Sequence, residues 1–325
     1  MDHATRIYVA GHRGLAGGAI VRELAARGYR NVLVRTRVEL DLENTFATQR
    51  FFERERPEVV FMAAGRVGGI AANFSYPVDF LVRNVRMETN VIEAAHAAGV
   101  RRLIFLGSSC IYPRDCPQPM REEYLLTGPL EATNRPYALA KIAGIECCWS
   151  YNRQYGTRFL AAMPTNLYGL GDNYDLQSSH VLPALIRKVH EAMSAGEERV
   201  MIWGSGTPKR EFLYADDLAR ALVFLANLDD ACFALLTEPA VCPMINVGTG
   251  TDLTIRELAQ TVAQVVGFRG TFVYDRTKPD GTPRKVLDVS RIRALGWTPQ
   301  VALPEGIALA YRDFLERVAT VQDAG

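Results

Sequence analysis

The sequence has no surplus of either charge: 37 Lys and Arg stand against 36 Asp and Glu, a formal net charge of +1 over 325 residues. With no Lys/Arg block either, it lacks the basic field that nucleic acid or an anionic membrane surface would require. No apolar run approaches the roughly 20 residues that a bilayer-spanning helix needs. The first residues, MDHATRIYVAG, run straight into a strand-like segment, without a basic flank, apolar stretch and small-residue cleavage site. A cytoplasmic protein with no membrane or nucleic-acid partner is therefore expected. Only six cysteines occur, with no zinc-site spacing and no disulfide framework among them. Reduced thiols and no metal are expected. Internal repeats and low-complexity segments are also missing. What remains, 48% hydrophobic and 22% charged residues, is an ordinary globular composition with room for one large or two modest domains.

Over the first half, short apolar runs alternate with helical patterns. RIYVAG precedes GAIVRELAARGY, NVLVRTR precedes FATQRFFERERPE, and VVFMAAG precedes FLVRNVRMETNVIEAAHAAGV and RRLIFLGSS. Strands apolar throughout are buried on both faces, which predicts a parallel sheet with helices on both sides, a doubly wound α/β fold. From about Asp172 to Phe212 the pattern turns irregular apart from the helix HVLPALIRKVHEAM. DDLARALVFLANL and INVGTG then return to the sheet. The expected division is residues 1–172 plus about 213–250 for a nucleotide-binding domain, and about 173–212 plus 251–325 for a smaller, largely C-terminal substrate lobe.

GHRGLAG puts Gly11, Gly14 and Gly17 between the first strand and the first helix. Glycines there permit a tight turn and close approach of backbone to a diphosphate at the helix N-terminus. After the second strand, where an NAD enzyme usually carries an acid for the adenosine ribose, the chain reads LVRTRVELDL. Arg37, with Arg35 and with Arg13 of the glycine turn, supplies cations for a 2′-phosphate, which predicts NADP(H).

YALAK sets Tyr137 and Lys141 four residues apart, on one helix face. Free tyrosine titrates near pH 10, so proton transfer near neutrality asks for a shift of about 3 units, or about 4 kcal/mol. An adjacent ammonium and a nicotinamide ring are expected to supply it. Tyr137 would then protonate an oxygen that gains charge during hydride transfer, with Ser108 or Ser109 of LGSSCIYP hydrogen-bonded to the same oxygen.

In this order, and over almost the whole chain, AGHRGLAGGAI, RVGGI, YPVDF, LGSSCIYP, PYALAKIAGI, MPTNLYG, SHVLPALIRK, WGSGTPKREF, INVGTG and KPDGTPRKVLD resemble the extended short-chain dehydrogenase/reductase family, and more narrowly its members that act on GDP-sugars. The resemblance implies a Rossmann-like fold, a homodimer and a two-step NADPH-dependent reaction. GDP-4-keto-6-deoxy-D-mannose would be epimerised at C3 and C5, then reduced at C4 to GDP-L-fucose. It assigns Cys110 as the epimerising base and His180 as the acid, beside Ser108, Tyr137 and Lys141. Cofactor contacts are implied for Gly11, Arg13, Gly14, Leu15, Ala16, Gly17, Arg37, Leu40, Asp41, Leu106, Gly107, Ser109, Lys141, Pro164, Asn166, Leu167 and His180. Substrate contacts are implied for Ser108, Asn166, Lys188, Trp203, Arg210, Lys278 and Asp280. The dimer would form through the helices carrying Leu81, Val85, Ile92 and Ala95, and Ile142, Ile145 and Trp149, although these residues at helical spacing could equally face the sheet.

Chemistry is consistent with the assignment. A C4 ketone acidifies the C3 and C5 protons, and a thiol, with an ordinary pKa of about 8.5, can remove such a proton. Cys116, Cys147, Cys148, Cys232 and Cys242 are expected to be packing or surface residues. Leu170 and Tyr214 stand where the family often has proline and histidine, and Cys116 is a departure in a loop beside the site. One alternative is a C4 reductase or partial epimerase-reductase on a related GDP-deoxysugar. Another is a non-catalytic NADP-sensing protein, a class that commonly loses the Tyr/Lys pair. Ser109-Cys110-Ile111, where a sugar 4,6-dehydratase carries Thr-Asp-Glu, argues against that enzyme. The missing acid after the second strand argues against an NAD-retaining UDP-sugar 4-epimerase.

Overall fold

Residues buried on both faces form the centre of the molecule. The computed structural model describes residues 1–278 and 280–322. The first half runs β1 (Ile7–Ala10), α1 (Leu15–Ala26), β2 (Val32–Leu33), α2 (Thr45–Glu55), β3 (Val59–Met62), α3 (Ile70–Ser75), α4 (Asn84–Ala97), β4 (Arg102–Leu106), α5 (Arg135–Tyr155) and β5 (Phe159–Pro164). It continues with β6 (Asn166–Tyr168), α6 (Val181–Ser194), β7 (Arg199–Trp203), β8 (Lys209–Tyr214), α7 (Ala215–Asn227), α8 (Asp230–Leu236) and β9 (Met244–Val247). The last elements are β10 (Asp252–Thr254), α9 (Ile255–Val266), β11 (Thr271–Asp275), β12 (Arg284–Lys285), α10 (Ser290–Ala294) and α11 (Leu303–Gln322).

Six strands form a parallel sheet in the order β2-β1-β3-β4-β5-β9. β1, β3, β5 and β9 are buried at every position, as strands covered by helices on both faces must be. The expected α/β doubly wound architecture is therefore present. The order reverses between β1 and β3, and a ligand crevice forms beyond the carboxyl ends of strands at such a point.

A first core surrounds this sheet, and it also receives Leu287, Val289, Ile292 and Trp297 from the C-terminal part of the chain. A second core joins Tyr168, Leu182, Ile186, Phe212, Tyr214, Leu258, Val262 and Ile307. β8 holds the smaller sheet together, pairing with β6, β10 and β12.

Three elements differ from expectation. The second strand is confined to Val32–Leu33, because the chain turns at once: the Thr36 amide donates to Glu39 Oε2 at 2.7 Å. The segment expected to be irregular contains β7 and the start of β8. β7 alternates exposed and buried residues and pairs only with β11, so it lacks the continuous apolar run of a central strand. The long helix after β3 is interrupted by a π-helical turn, Asp79–Arg83, ahead of α4. On α4 and α5, Ile92, Ala95, Ile142 and Ile145 are buried in the first core, whereas Leu81, Val85 and Trp149 are partly exposed.

Glu211 ties these parts together. Its side chain is 0% exposed. It accepts hydrogen bonds from the Gly250 amide at 2.7 Å, the Leu287 amide at 2.8 Å and the Thr249 hydroxyl at 3.3 Å. Burial pushes its carboxyl above the ordinary range, and those donors pull it back. Glu211→Ala would leave the two amides without acceptors, at about 1–3 kcal/mol each. Urea denaturation is expected to show a loss of about 2–6 kcal/mol; a loss under about 1 kcal/mol would contradict this role.

Candidate active site

The end of β4 places two reactive side chains. After Leu106 the backbone is extended at Ser108 (φ −160°) and enters a short 3₁₀ turn over Ser109–Ile111. The Ser108 hydroxyl caps that turn, accepting from the Cys110 amide at 3.3 Å. One turn therefore fixes both Ser108 and Cys110. The Cys110 side chain packs with Phe80, Tyr137 and Ala138.

Helix α5, with Pro136 in its first turn, supplies the facing residues. Tyr137 is 9% exposed and Lys141 3% exposed, both on the inward side. Lys141 Nζ donates to the Leu106 carbonyl at 2.9 Å and lies 4.8 Å from the centre of the Phe105 ring. It is also 3.0 Å from Glu88 Oε1 of α4. The π-helical turn presses Phe80 edge-on against Tyr137, with ring centres 6.2 Å apart at 88°. Buried Asn84 secures that turn: its Nδ2 donates to the Phe80 carbonyl at 2.7 Å, and its Oδ1 accepts from the Arg66 amide at 2.7 Å.

His180 caps α6 with extended backbone and is exposed. The surrounding protein desolvates the ring and lowers its pKa, favouring neutral imidazole. Accessibility combined with desolvation describes a residue set in a cleft. Two residues earlier, the Ser178 carbonyl accepts from the Gly69 amide at 3.2 Å, which ties this segment to the loop after β3.

Burial dominates the other ionisations. It raises the Cys110 thiol, against pulls downward from Lys285, the Ser108 hydroxyl and Lys141. Tyr137 is pushed well up by burial, then by Cys110 and Glu88. The expectation of a lowered tyrosine pKa is thus not met by the protein alone: the chain's own groups keep the Tyr137 proton on, the state a proton donor needs.

The glycine turn lies at the switch point between β1 and β3. Gly11 has φ +84°, and a Cβ there would lie 2.7 Å from the Ala64 backbone. A cavity of about 280 Å³ adjoins it, lined by Gly11, His12, Arg13, Gly14, Arg35, Thr36, Arg37 and Val38. Arg13 and Arg37 are exposed around this cavity, and Arg37 lies 3.0 Å from Glu43 and 3.8 Å from Asp41. Arg35 is engaged elsewhere, 3.0 Å from Glu55 and over the Phe51 ring. A glycine cradle beside cations fits a dinucleotide with an added phosphate. Leu40 is in the core, so only its backbone is offered to a ligand. Leu15, Ala16 and Leu167 pack partly against the same core. The Gly107 amide donates to the Ala162 carbonyl, Pro164 ends β5, and Asn166 Nδ2 donates to the Glu211 carbonyl at 2.8 Å.

In the second lobe Trp203 is exposed between two cations, with Lys188 Nζ 5.4 Å and Lys278 Nζ 5.6 Å from its ring centre. Burial lowers the Arg210 pKa, and Asp280 opposes that shift. Asp280 itself is held by the Ser205 amide at 2.9 Å and the Ser205 hydroxyl at 2.7 Å. The structure thus groups Ser108, Cys110, Tyr137 and Lys141, and separately Lys188, Trp203 and Lys278. Sequence reasoning missed Glu88, Phe80 and Asn84. No motif marks them, and only a glutamate and an asparagine inside an otherwise buried helical stripe could have drawn notice.

The pattern of the family described as NAD dependent epimerase/dehydratase matches residues 7–232. A GDP-L-fucose synthase of Escherichia coli (strain K12) is 53% identical over 311 residues, covering 96% of this chain and 97% of that protein. A solved GDP-mannoheptose C4 reductase from Campylobacter jejuni with NADP bound superposes with a TM-score of 0.87 at 38% identity, covering 97% of this chain and 99% of that one. A solved GDP-L-fucose synthetase from Naegleria fowleri bound to NADP gives a TM-score of 0.85 at 27% identity, covering 98% and 97%. With the sheet order, the glycine cradle and the buried Tyr137/Lys141 pair, these likenesses establish that the chain belongs to the NAD dependent epimerase/dehydratase family, the extended short-chain dehydrogenase/reductases.

Proposed function

We propose that this protein is an NADPH-dependent epimerase-reductase that converts GDP-4-keto-6-deoxy-D-mannose to GDP-L-fucose. The observation that carries the reading is that Cys110 and Tyr137 share one buried cluster. A reductase needs only the tyrosine; a thiol beside it adds a group able to move carbon-bound protons next to the ketone. Similarity to GDP-L-fucose synthases over nearly the whole chain supports the same reading.

Gly11, Arg13, Gly14 and Arg37 would hold the cofactor's phosphates, and Lys141 and Asn166 its nicotinamide end. NADPH, when bound, supplies the hydride. Cys110 takes a proton from the carbon beside the ketone, and His180 returns one. Ser108 donates a hydrogen bond to the C4 oxygen, and Tyr137 gives that oxygen its proton. Lys188, Trp203, Arg210, Lys278 and Asp280 would hold the GDP part. An indole packs on a flat base, and a guanidinium clamps a diphosphate.

Two separate cores support a cofactor domain and a substrate lobe, with Leu287, Val289, Ile292 and Trp297 packing in the first core and Tyr168 and Tyr214 in the second, against the expected boundaries. A homodimer is supported by the aromatic group His96, Tyr151 and Tyr155 on α4 and α5, of which Tyr155 is exposed. Cytoplasmic location is supported only in that no helix among the described residues is long and apolar enough to cross a membrane. One observation favours a simple C4 reductase instead: burial raises the Cys110 thiol, which leaves less thiolate at neutral pH.

Cofactor choice provides the first test. Arg37→Ala is expected to raise the KM for NADPH at least about tenfold more than that for NADH, since a charge-assisted bond of about 1.5–3 kcal/mol is lost. Equal use of both cofactors by the unaltered protein would overturn the phosphate assignment.

The two chemistries are separable in a crossed pair of variants. Tyr137→Phe is expected to lose reduction while solvent deuterium still enters at C3 and C5. Cys110→Ser is expected to lose that deuterium entry while NADPH binding is kept, because a serine hydroxyl scarcely ionises near neutral pH. In the unaltered protein deuterium entry should rise with pH above 7, since thiolate is the base and burial places its titration above the ordinary thiol range. Normal exchange in Cys110→Ser would make the cysteine a spectator and favour the simple reductase.

A further inference from the structure

Glu88 is 1% exposed and lies on α4, which packs against α5. Its Oε1 is 3.0 Å from Lys141 Nζ, and both side chains are sealed from solvent. Both of its carboxylate oxygens are buried without a hydrogen-bond partner among the described residues, so the contact with Lys141 is an ion pair. A carboxylate placed so deep with a single partner weakens the protein unless its charge is used, since lost hydration is not fully repaid.

Resting on the function proposed above, we propose that Glu88 is a positioning residue for the reduction step. It fixes Lys141 beneath the Leu106 carbonyl and is the counter-charge of that buried ammonium beside Tyr137.

Geometry leaves Lys141 two anchors. The Leu106 carbonyl takes one N–H at 2.9 Å, and Glu88 faces another at 3.0 Å. The carbonyl carries no charge. A lysine buried with only a carbonyl beside it gives up its proton toward neutral pH, and an adjacent carboxylate reverses that tendency. The same carboxylate discourages ionisation of Tyr137. Removing it therefore eases ionisation of Tyr137 and leaves the buried ammonium without a counter-charge.

The surroundings put few other ionisable groups against Glu88. From α5 it meets Lys141, Tyr137, Cys147 and Cys148. β3, Val59–Met62, brings none, and no charge from α2 or the π-helical turn acts on it. Desolvation raises the Glu88 carboxyl above its ordinary range, and Lys141 opposes that rise without cancelling it.

The test compares the unaltered protein, Glu88→Gln and Glu88→Asp. Reduction of the 4-keto sugar and NADPH affinity, the latter read by protein fluorescence, are measured from pH 7 to 10. The alkaline fall in reduction is expected to move down by about one unit or more in Glu88→Gln. The pH at which NADPH affinity falls should move with it, a shift that a packing defect alone would not produce. Glu88→Asp keeps the charge, so its alkaline limb should stay near that of the unaltered protein while turnover drops several-fold. Unmoved profiles in Glu88→Gln, or an equal shift in Glu88→Asp, overturn the assignment. Should Glu88→Gln not fold, Glu88→Asp still decides: it keeps the charge but shortens the side chain, so turnover should drop several-fold with the alkaline limb unmoved, and unchanged turnover would overturn the assignment. An unaltered protein that reduces no GDP-4-keto sugar would fail the function proposed above, a result distinct from any of these.

Discussion

A lysine ammonium sealed from water must be held by something that outweighs its lost hydration, and here that requirement organises the site. Lys141 reaches the Leu106 carbonyl because α5 lies very close to β4. A side chain at Gly144 would collide with the Phe105 ring, so a glycine at this position sets the spacing between helix and strand. That approach carries Tyr137 to Cys110 and brings Lys141 beside Glu88 of the neighbouring helix. If α5 moved outward, the ammonium would lose its carbonyl, the tyrosine its packing against Phe80, and the thiol its wall.

The second constraint joins the lobes. The two cores are separate, so a residue that bonds to segments of both holds them together. Glu211 serves that connection from within. Its side chain binds the amides of Gly250 and Leu287, while its carbonyl accepts from Asn166 and Thr165. Arg210, the preceding residue, lies on the same strand, and Lys285 sits in register with it on β12. Ionisable groups from the first core and from β12 thus meet around Cys110, since Lys285 is the first charge that opposes the thiol's upward shift.

Much of this was readable in the residues. Continuous apolar runs gave the central strands because burial on both faces leaves no alternation to confuse with a surface strand. The glycine turn and the Tyr137/Lys141 spacing were visible because each depends on local geometry, whereas the 3₁₀ turn that fixes Ser108 and Cys110 was not. β7 escaped notice since its alternation reflects a two-stranded ribbon at an edge. The π-helical turn had no sequence signal, being imposed by Asn84 bonding back to the loop after β3. Glu88 was hidden for a related reason. Its partner is 53 residues distant in sequence, and only the packing of α4 on α5 shows that a glutamate in a helical pattern is a buried counter-charge.

The central claim is that one buried cluster carries both proton exchange at carbon and reduction at C4. The most direct measurement is the isotope content of product formed by the unaltered protein from GDP-4-keto-6-deoxy-D-mannose and NADPH in deuterated water, read by NMR and mass spectrometry. The account predicts GDP-L-fucose with solvent deuterium at both C3 and C5 and the cofactor's hydrogen at C4. A reduced sugar with solvent deuterium at neither carbon and its original configuration retained would contradict it.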